Sequence, residues 1–150
     1  MNQRKFSKLE FAMGVLALLL NVVGTVLFAV SYTTGYYTFG EMNSLMVLSF
    51  FLVGIGMEIF ALIAMVKWGD KLWVRFLTYA ITALMVAGAM MLIGDRVEGI
   101  GNCIVTDYDS GHGGEEAIYY SLAASGVMLV GAIFNIVGSF AKAPQVEEKK

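Results

Sequence analysis

A glutamate, Glu58, lies about two-thirds of the way along the apolar run Leu45–Val66, a stretch long enough to cross a bilayer. Placing an acidic side chain near the centre of a membrane helix costs about 2.5–3.5 kcal/mol on insertion scales. Such a residue therefore needs a partner or a task. No Lys, Arg or His falls inside any of the chain's long apolar runs, so no counter-charge is at hand. The chemistry left is that of a lone carboxyl group. It either fixes helices by hydrogen bonds, or it takes up a proton or cation on a transport path.

Three other polar side chains lie at comparable depth: Asn21, Thr82 and Asn135. Measured at ~1.5 Å per residue from the flanking charged or aromatic border, Glu58 lies ~13 Å and Asn21 ~15 Å inside. Asn135 and Thr82 come out nearer ~10 Å. Asn21 is thus the expected partner of Glu58, with Asn135 and Thr82 about a turn lower.

A second group of reactive residues lies in the segment 95–117, where Asp107, Asp109, His112, Glu115 and Glu116 fall within ten positions. Its Asp-x-Asp-x-Gly start is that of a calcium loop, but positions 112 and 118 hold His and Ile where such a loop needs Gly and Glu. A weak divalent-cation site, or a transition-metal site through His112, stands against an ordinary solvated acidic loop. On the latter reading Glu115 and Glu116 favour the N-terminus of the last helix through its dipole. Asp95, Arg96 and Glu98 are expected to form exposed pairs, with Arg96 clasping Glu115 or Glu116.

Cys103 is the sole cysteine, so no internal disulfide forms, and it lacks the His/Asn arrangement of a cysteine nucleophile. Phosphate-binding glycine loops and serine nucleophile elbows are also missing from the sequence. The chain is therefore read as no enzyme, with no cofactor and no nucleic-acid partner.

The elements that must position these residues are four apolar runs, 11–32, 45–66, 76–94 and 118–140, in a chain that is 58% hydrophobic and 15% charged. Each approaches or exceeds the ~20 residues that a helix needs to span ~30 Å of hydrocarbon. The first run is too long for a signal-peptide core and has no small-residue cleavage site after it, so it reads as a retained span. Nine basic residues (Arg4, Lys5, Lys8, Lys67, Lys71, Arg75, Lys142, Lys149 and Lys150) flank one side, and only Arg96 flanks the other. By the positive-inside rule both termini are cytoplasmic. Trp68 and Trp73 at one border, and Tyr32, Tyr36, Tyr37, Tyr119 and Tyr120 at the other, fit interfacial anchoring.

Small and polar residues mark the faces that pack on protein, since apolar residues alone do not separate lipid from core. The first run carries Gly14, Ala17, Asn21, Gly24, Phe28 and Ser31; the second carries Gly54, Glu58, Ala61 and Met65. The fourth carries Ala124, Met128, Gly131, Asn135 and Gly138, and Thr78, Thr82, Met85 and Ala89 form the third's inward face. These alternate by three and four, as left-handed helix packing requires.

The reading is all-α: a single domain over 1–150, an integral membrane four-helix antiparallel bundle with outer loop 95–117 and a mobile tail 141–150. Its function reads first as an accessory or assembly subunit of a larger complex in the plasma (bacterial inner) membrane. On that reading its partners are lipid and other membrane chains or its own copies. A small oligomeric transporter or channel using Glu58, and an outer-surface ligand or cation sensor, are the alternatives.

Overall fold

The computed structural model describes residues 7–34, 42–69, 71–105 and 114–140. They form four helices: α1 (Lys8–Thr33), α2 (Met42–Trp68), α3 (Leu72–Val105) and α4 (Gly114–Ser139). Each contains a stretch long and apolar enough to cross a membrane. The chain is a small multi-pass integral membrane protein.

Local chemistry sets the helix ends. Ser7 has extended backbone and its hydroxyl accepts from the Glu10 N–H at 3.5 Å, an N-cap in a Ser-x-x-Glu sequence. This starts α1 three residues before the apolar run. At the end of α2, Gly69 takes a positive φ of 69° while its N–H bonds to the Met65 carbonyl at 3.0 Å. Only glycine adopts that conformation without strain, so Gly69 ends α2.

Within the segment 95–117, α3 runs on to Val105, and α4 begins at Gly114 rather than Ile118. Gly94, Gly99 and Gly101 read as turn formers, but a helical glycine costs only about 1 kcal/mol relative to alanine. Contacts of Asp95 and Arg96 with neighbouring helices outweigh that. Glu115 and Glu116 do occupy the first turn of α4, where the helix dipole favours negative charge.

Close approach explains the small residues of the inward stripes. A Cβ on Gly131 would stand 2.8 Å from Asn21 Oδ1 and 3.4 Å from the Ala17 carbonyl oxygen. One on Gly138 would meet Met13 Cβ at 2.9 Å, and one on Gly24 would meet Met128 Cγ at 2.6 Å. Gly54 lies against the Met85 sulfur in the same way. α1 packs more extensively on α4 than on α2. The principal core joins Phe28 and Tyr32 of α1, Val47 and Phe51 of α2, Ile81, Met85, Ala89 and Leu92 of α3, and Ala124 and Met128 of α4. Phe28 anchors it, edge-on to Phe51 with ring centroids 5.3 Å apart. Outward positions carry Leu16, Leu19, Val23, Leu52, Ile63 and Ile133, which suit acyl chains.

These contacts predict opposite outcomes for two glycines. Gly131→Ala should lower stability by about 2 kcal/mol, because Asn21 is held by a further bond and the Ala17 carbonyl is backbone. Gly56, whose Cβ position meets nothing within 4 Å, should accept alanine with a change of less than about 1 kcal/mol, on the stabilising side. Melting temperatures of the two variants in detergent check the pair.

Candidate functional site

Glu58 points into the bundle and is only 2% exposed, with Asn21 at 0% and Asn135 at 5%. The Asn21 Nδ2 donates to Glu58 Oε2 at 2.8 Å, and the Asn135 Nδ2 donates to Oε1, also at 2.8 Å. One carboxyl group thus ties α1, α2 and α4 together. The Asn21 partnership matches the depth estimate from the sequence. Asn135, expected about a turn lower, reaches the same carboxyl group directly. Each amide donates one hydrogen to one oxygen, so both acceptors are engaged and no second acidic group is needed to hold the helices.

The amide oxygen of Asn21 is buried and accepts no hydrogen bond; it faces Gly131. Such an orphaned acceptor is costly in a low-dielectric interior and calls for an account. Thr82, the remaining residue expected near Glu58, is buried but donates to the Thr78 carbonyl of its own helix at 2.9 Å. Gly24, Gly54, Gly131 and Gly138 are all buried at helix contacts.

Beside Glu58 lies a cavity lined by Glu10, Gly14, Ala61, Thr78, Asn135 and Ser139, among others. Its free volume is about 10 Å³, the room that one water requires. Glu10, Thr78 and Ser139 carry its polar surface alongside Glu58 and Asn135. Glu10 and Ser139 escaped the sequence reading. The Ser7-x-x-Glu10 capping pattern was the available signal that the helix, and with it Glu10, begins earlier.

A second polar cluster lies near the other end of the bundle. Arg96 was expected to be exposed but is 1% exposed, the largest fully buried side chain described. Its guanidinium carbon stands 4.2 Å from the centroid of the Tyr32 ring, and its Nε donates to Ser121 Oγ at 2.9 Å. Tyr32 in turn donates its hydroxyl to Asp95 Oδ2. Ser121 donates its own hydroxyl hydrogen to the Ala117 carbonyl, and Ser125 donates to the Ala89 and Ser121 carbonyls. Arg96 thus joins α1, α3 and α4 through a cation–π contact and a charged hydrogen bond. The expected clasp onto Glu115 or Glu116 gives way to this arrangement. Both glutamates are exposed, and Glu115 accepts from the Tyr119 hydroxyl at 3.1 Å.

Asp107, Asp109 and His112, the core of the candidate cation loop, lie outside the described residues. Among the described residues no group of three or more His, Cys, Asp or Glu side chains is placed to hold a metal. No protein family, curated protein or solved structure matches this chain.

Proposed function

We propose that the chain is a non-enzymatic accessory or assembly subunit of a larger membrane complex. On this reading it is an antiparallel four-helix bundle in a plasma (bacterial inner) membrane. The split of basic residues supports cytoplasmic placement of both chain ends.

The observation that carries this reading is the outward face of α3. Ala80, Ala83 and Ala87 lie exposed along one side of it, bounded on that side by the exposed Phe76 and Met90. Outward positions of α1 instead carry Leu16, Leu19, Val22, Val23 and Val26. In lipid, helices associate through close backbone approach, and small residues allow it. The strongly polar groups of α1, α2 and α4, by contrast, meet each other inside the bundle. That leaves the short stretch of Ala80, Ala83 and Ala87, a notch between the larger Phe76 and Met90, as the surface best suited to another chain's helix.

Native purification in mild detergent tests this. A larger chain should co-purify in fixed stoichiometry and be lost in Ala83→Phe/Ala87→Phe. Leu19→Phe, on the outward face of α1, should retain it. Melting of the isolated bundle should change little in either variant. A symmetric assembly of this chain alone, or a partner indifferent to the α3 substitutions, would reject the proposal.

A further inference from the structure

We infer that Glu58 is a proton-binding site served from one end of the bundle only, and that the Asn21 amide turns over with its proton load. Two independent features lead there: the cavity beside Glu58 and the orphaned oxygen of Asn21.

The cavity runs among residues near one end of the bundle, with Glu10 in the first turn of α1 and Ser139 last in α4. Its hydroxyl hydrogens are already committed. Thr78 Oγ1 donates to the Val74 carbonyl at 3.2 Å and Ser139 Oγ to the Ile136 carbonyl at 2.7 Å. The Asn135 amide donates to Glu58 itself. What these groups offer a guest is oxygen lone pairs, so the fitting occupant is a donor of water's size: water or hydronium. Towards the opposite end, Phe28, Phe51, Met85, Ala89, Leu92 and Met128 pack together, each no more than 1% exposed. Water has a place on one side of Glu58 and a dry plug on the other.

The titratable groups around the site are few. α1 contributes Glu10 to the lining, and α2 contributes only Glu58 itself. The lining residues of α3 and α4 (Thr78, Ile81, Asn135, Gly138 and Ser139) do not titrate. Lys8 and Lys67 are exposed and Arg75 is half-buried, all three outside the lining.

The Asn21 oxygen supplies the partner that a proton on Glu58 needs. In the charged state both carboxylate oxygens accept, one from each asparagine, and Asn21 Oδ1 is left over. When a proton arrives from cavity water, an O–H bond forms at Oε2 and the Nδ2–H···Oε2 bond breaks. A half-turn of the amide then presents Oδ1 to the acid hydrogen. The same rotation brings Nδ2 to the position facing Gly131, beside the Ala17 carbonyl oxygen. Asn135 keeps its bond to Oε1 throughout. Asn21 is the moving part and Asn135 the fixed one.

The test uses the full chain in liposomes whose internal and external pH are set separately, with orientation read from protease access to the N-terminal residues. Infrared spectra should contain a carboxylic-acid C=O band that disappears in Glu58→Gln. That band should grow as the pH falls on the Glu10 side and ignore the pH of the other side. The ¹⁵N signal of the Asn21 side chain should shift with it, while that of Asn135 stays. A band that follows the opposite side or both sides, or that does not respond to pH, overturns the proposal. Should Glu58→Gln not fold, Asn21→Leu leaves the acid in place and removes its acceptor. The band must then move to higher frequency, and an unmoved band refutes the role of the amide.

Discussion

Glu58→Ala should destabilise the bundle by about 3 kcal/mol, measured as reversible unfolding in mixed micelles, whereas Glu58→Gln should stay within about 1 kcal/mol of wild type. The insertion cost of the carboxyl group is no guide here. It is the same for separated helices in the membrane as for the packed bundle, so it cancels from the difference. What alanine removes is two interhelical hydrogen bonds, worth roughly 0.6–2 kcal/mol each in lipid, together with the packing of the side chain. It also strands the Nδ2 hydrogens of Asn21, which lies outside the cavity lining, whereas a cavity water can reach Asn135. Glutamine keeps one acceptor for Asn135, and its own amide hydrogen finds Asn21 Oδ1 once that side chain turns over. The gap between the two variants measures the hydrogen bonds apart from the charge.

Arg96→Ala should be comparably severe, at about 3 kcal/mol. A desolvated cation–π contact contributes about 2 kcal/mol and a charged hydrogen bond about 1.5–3 kcal/mol, partly offset by release of a buried charge to a smaller residue. Ser121 still donates to the Ala117 carbonyl after the change, and Tyr32 still reaches Asp95, so neither is stranded. Arg96→Lys should recover less than half of the loss, since an ammonium offers neither the planar face over Tyr32 nor the Nε–H. Residue 96 is where α3 leaves its apolar stretch Leu72–Val97. Hydrogen exchange should therefore accelerate in 97–105 of the alanine variant, ahead of the rest of the helix. Uniform exchange across α3 would show that Arg96 does not anchor the extension.

The inward faces of the helices were legible because small and polar residues are conspicuous in apolar runs. Asn21, Gly24 and Phe28 on α1, and Met128, Gly131 and Asn135 on α4, recur at the spacing that packing demands. The pairing of Asn21 with Glu58 followed from counting residues inward from the borders. The same ruler misplaced Asn135, because Lys142 lies beyond the end of α4 at Ser139 and the borders do not share one depth. Thr82 was misjudged for another reason. A threonine hydroxyl satisfies itself on the preceding turn and needs no partner from another helix.

The continuation of α3 was hidden from the sequence. Gly94, Asp95, Arg96 and the glycines that follow have the composition of a solvated turn, and a lone cation beside acids reads as a surface pair. Burial of Arg96 depends on Tyr32 and Ser121, which lie 64 and 25 positions away. No local pattern carries that. Glu10 was missed for the opposite reason: its signal, the Ser7-x-x-Glu10 pattern, is local and lies outside the apolar run that begins at Phe11.

One carboxyl group, that of Glu58, is held between two amides from different helices. Magic-angle-spinning NMR of the protein in lipid, with ¹³Cδ-labelled glutamate and ¹⁵N-labelled asparagine side chains, measures this directly. Two nitrogens should show dipolar coupling to a single glutamate carbon, one lost in Asn21→Leu and the other in Asn135→Leu. A Glu58 carbon coupled to neither nitrogen, and instead close to lipid acyl protons, would contradict the arrangement.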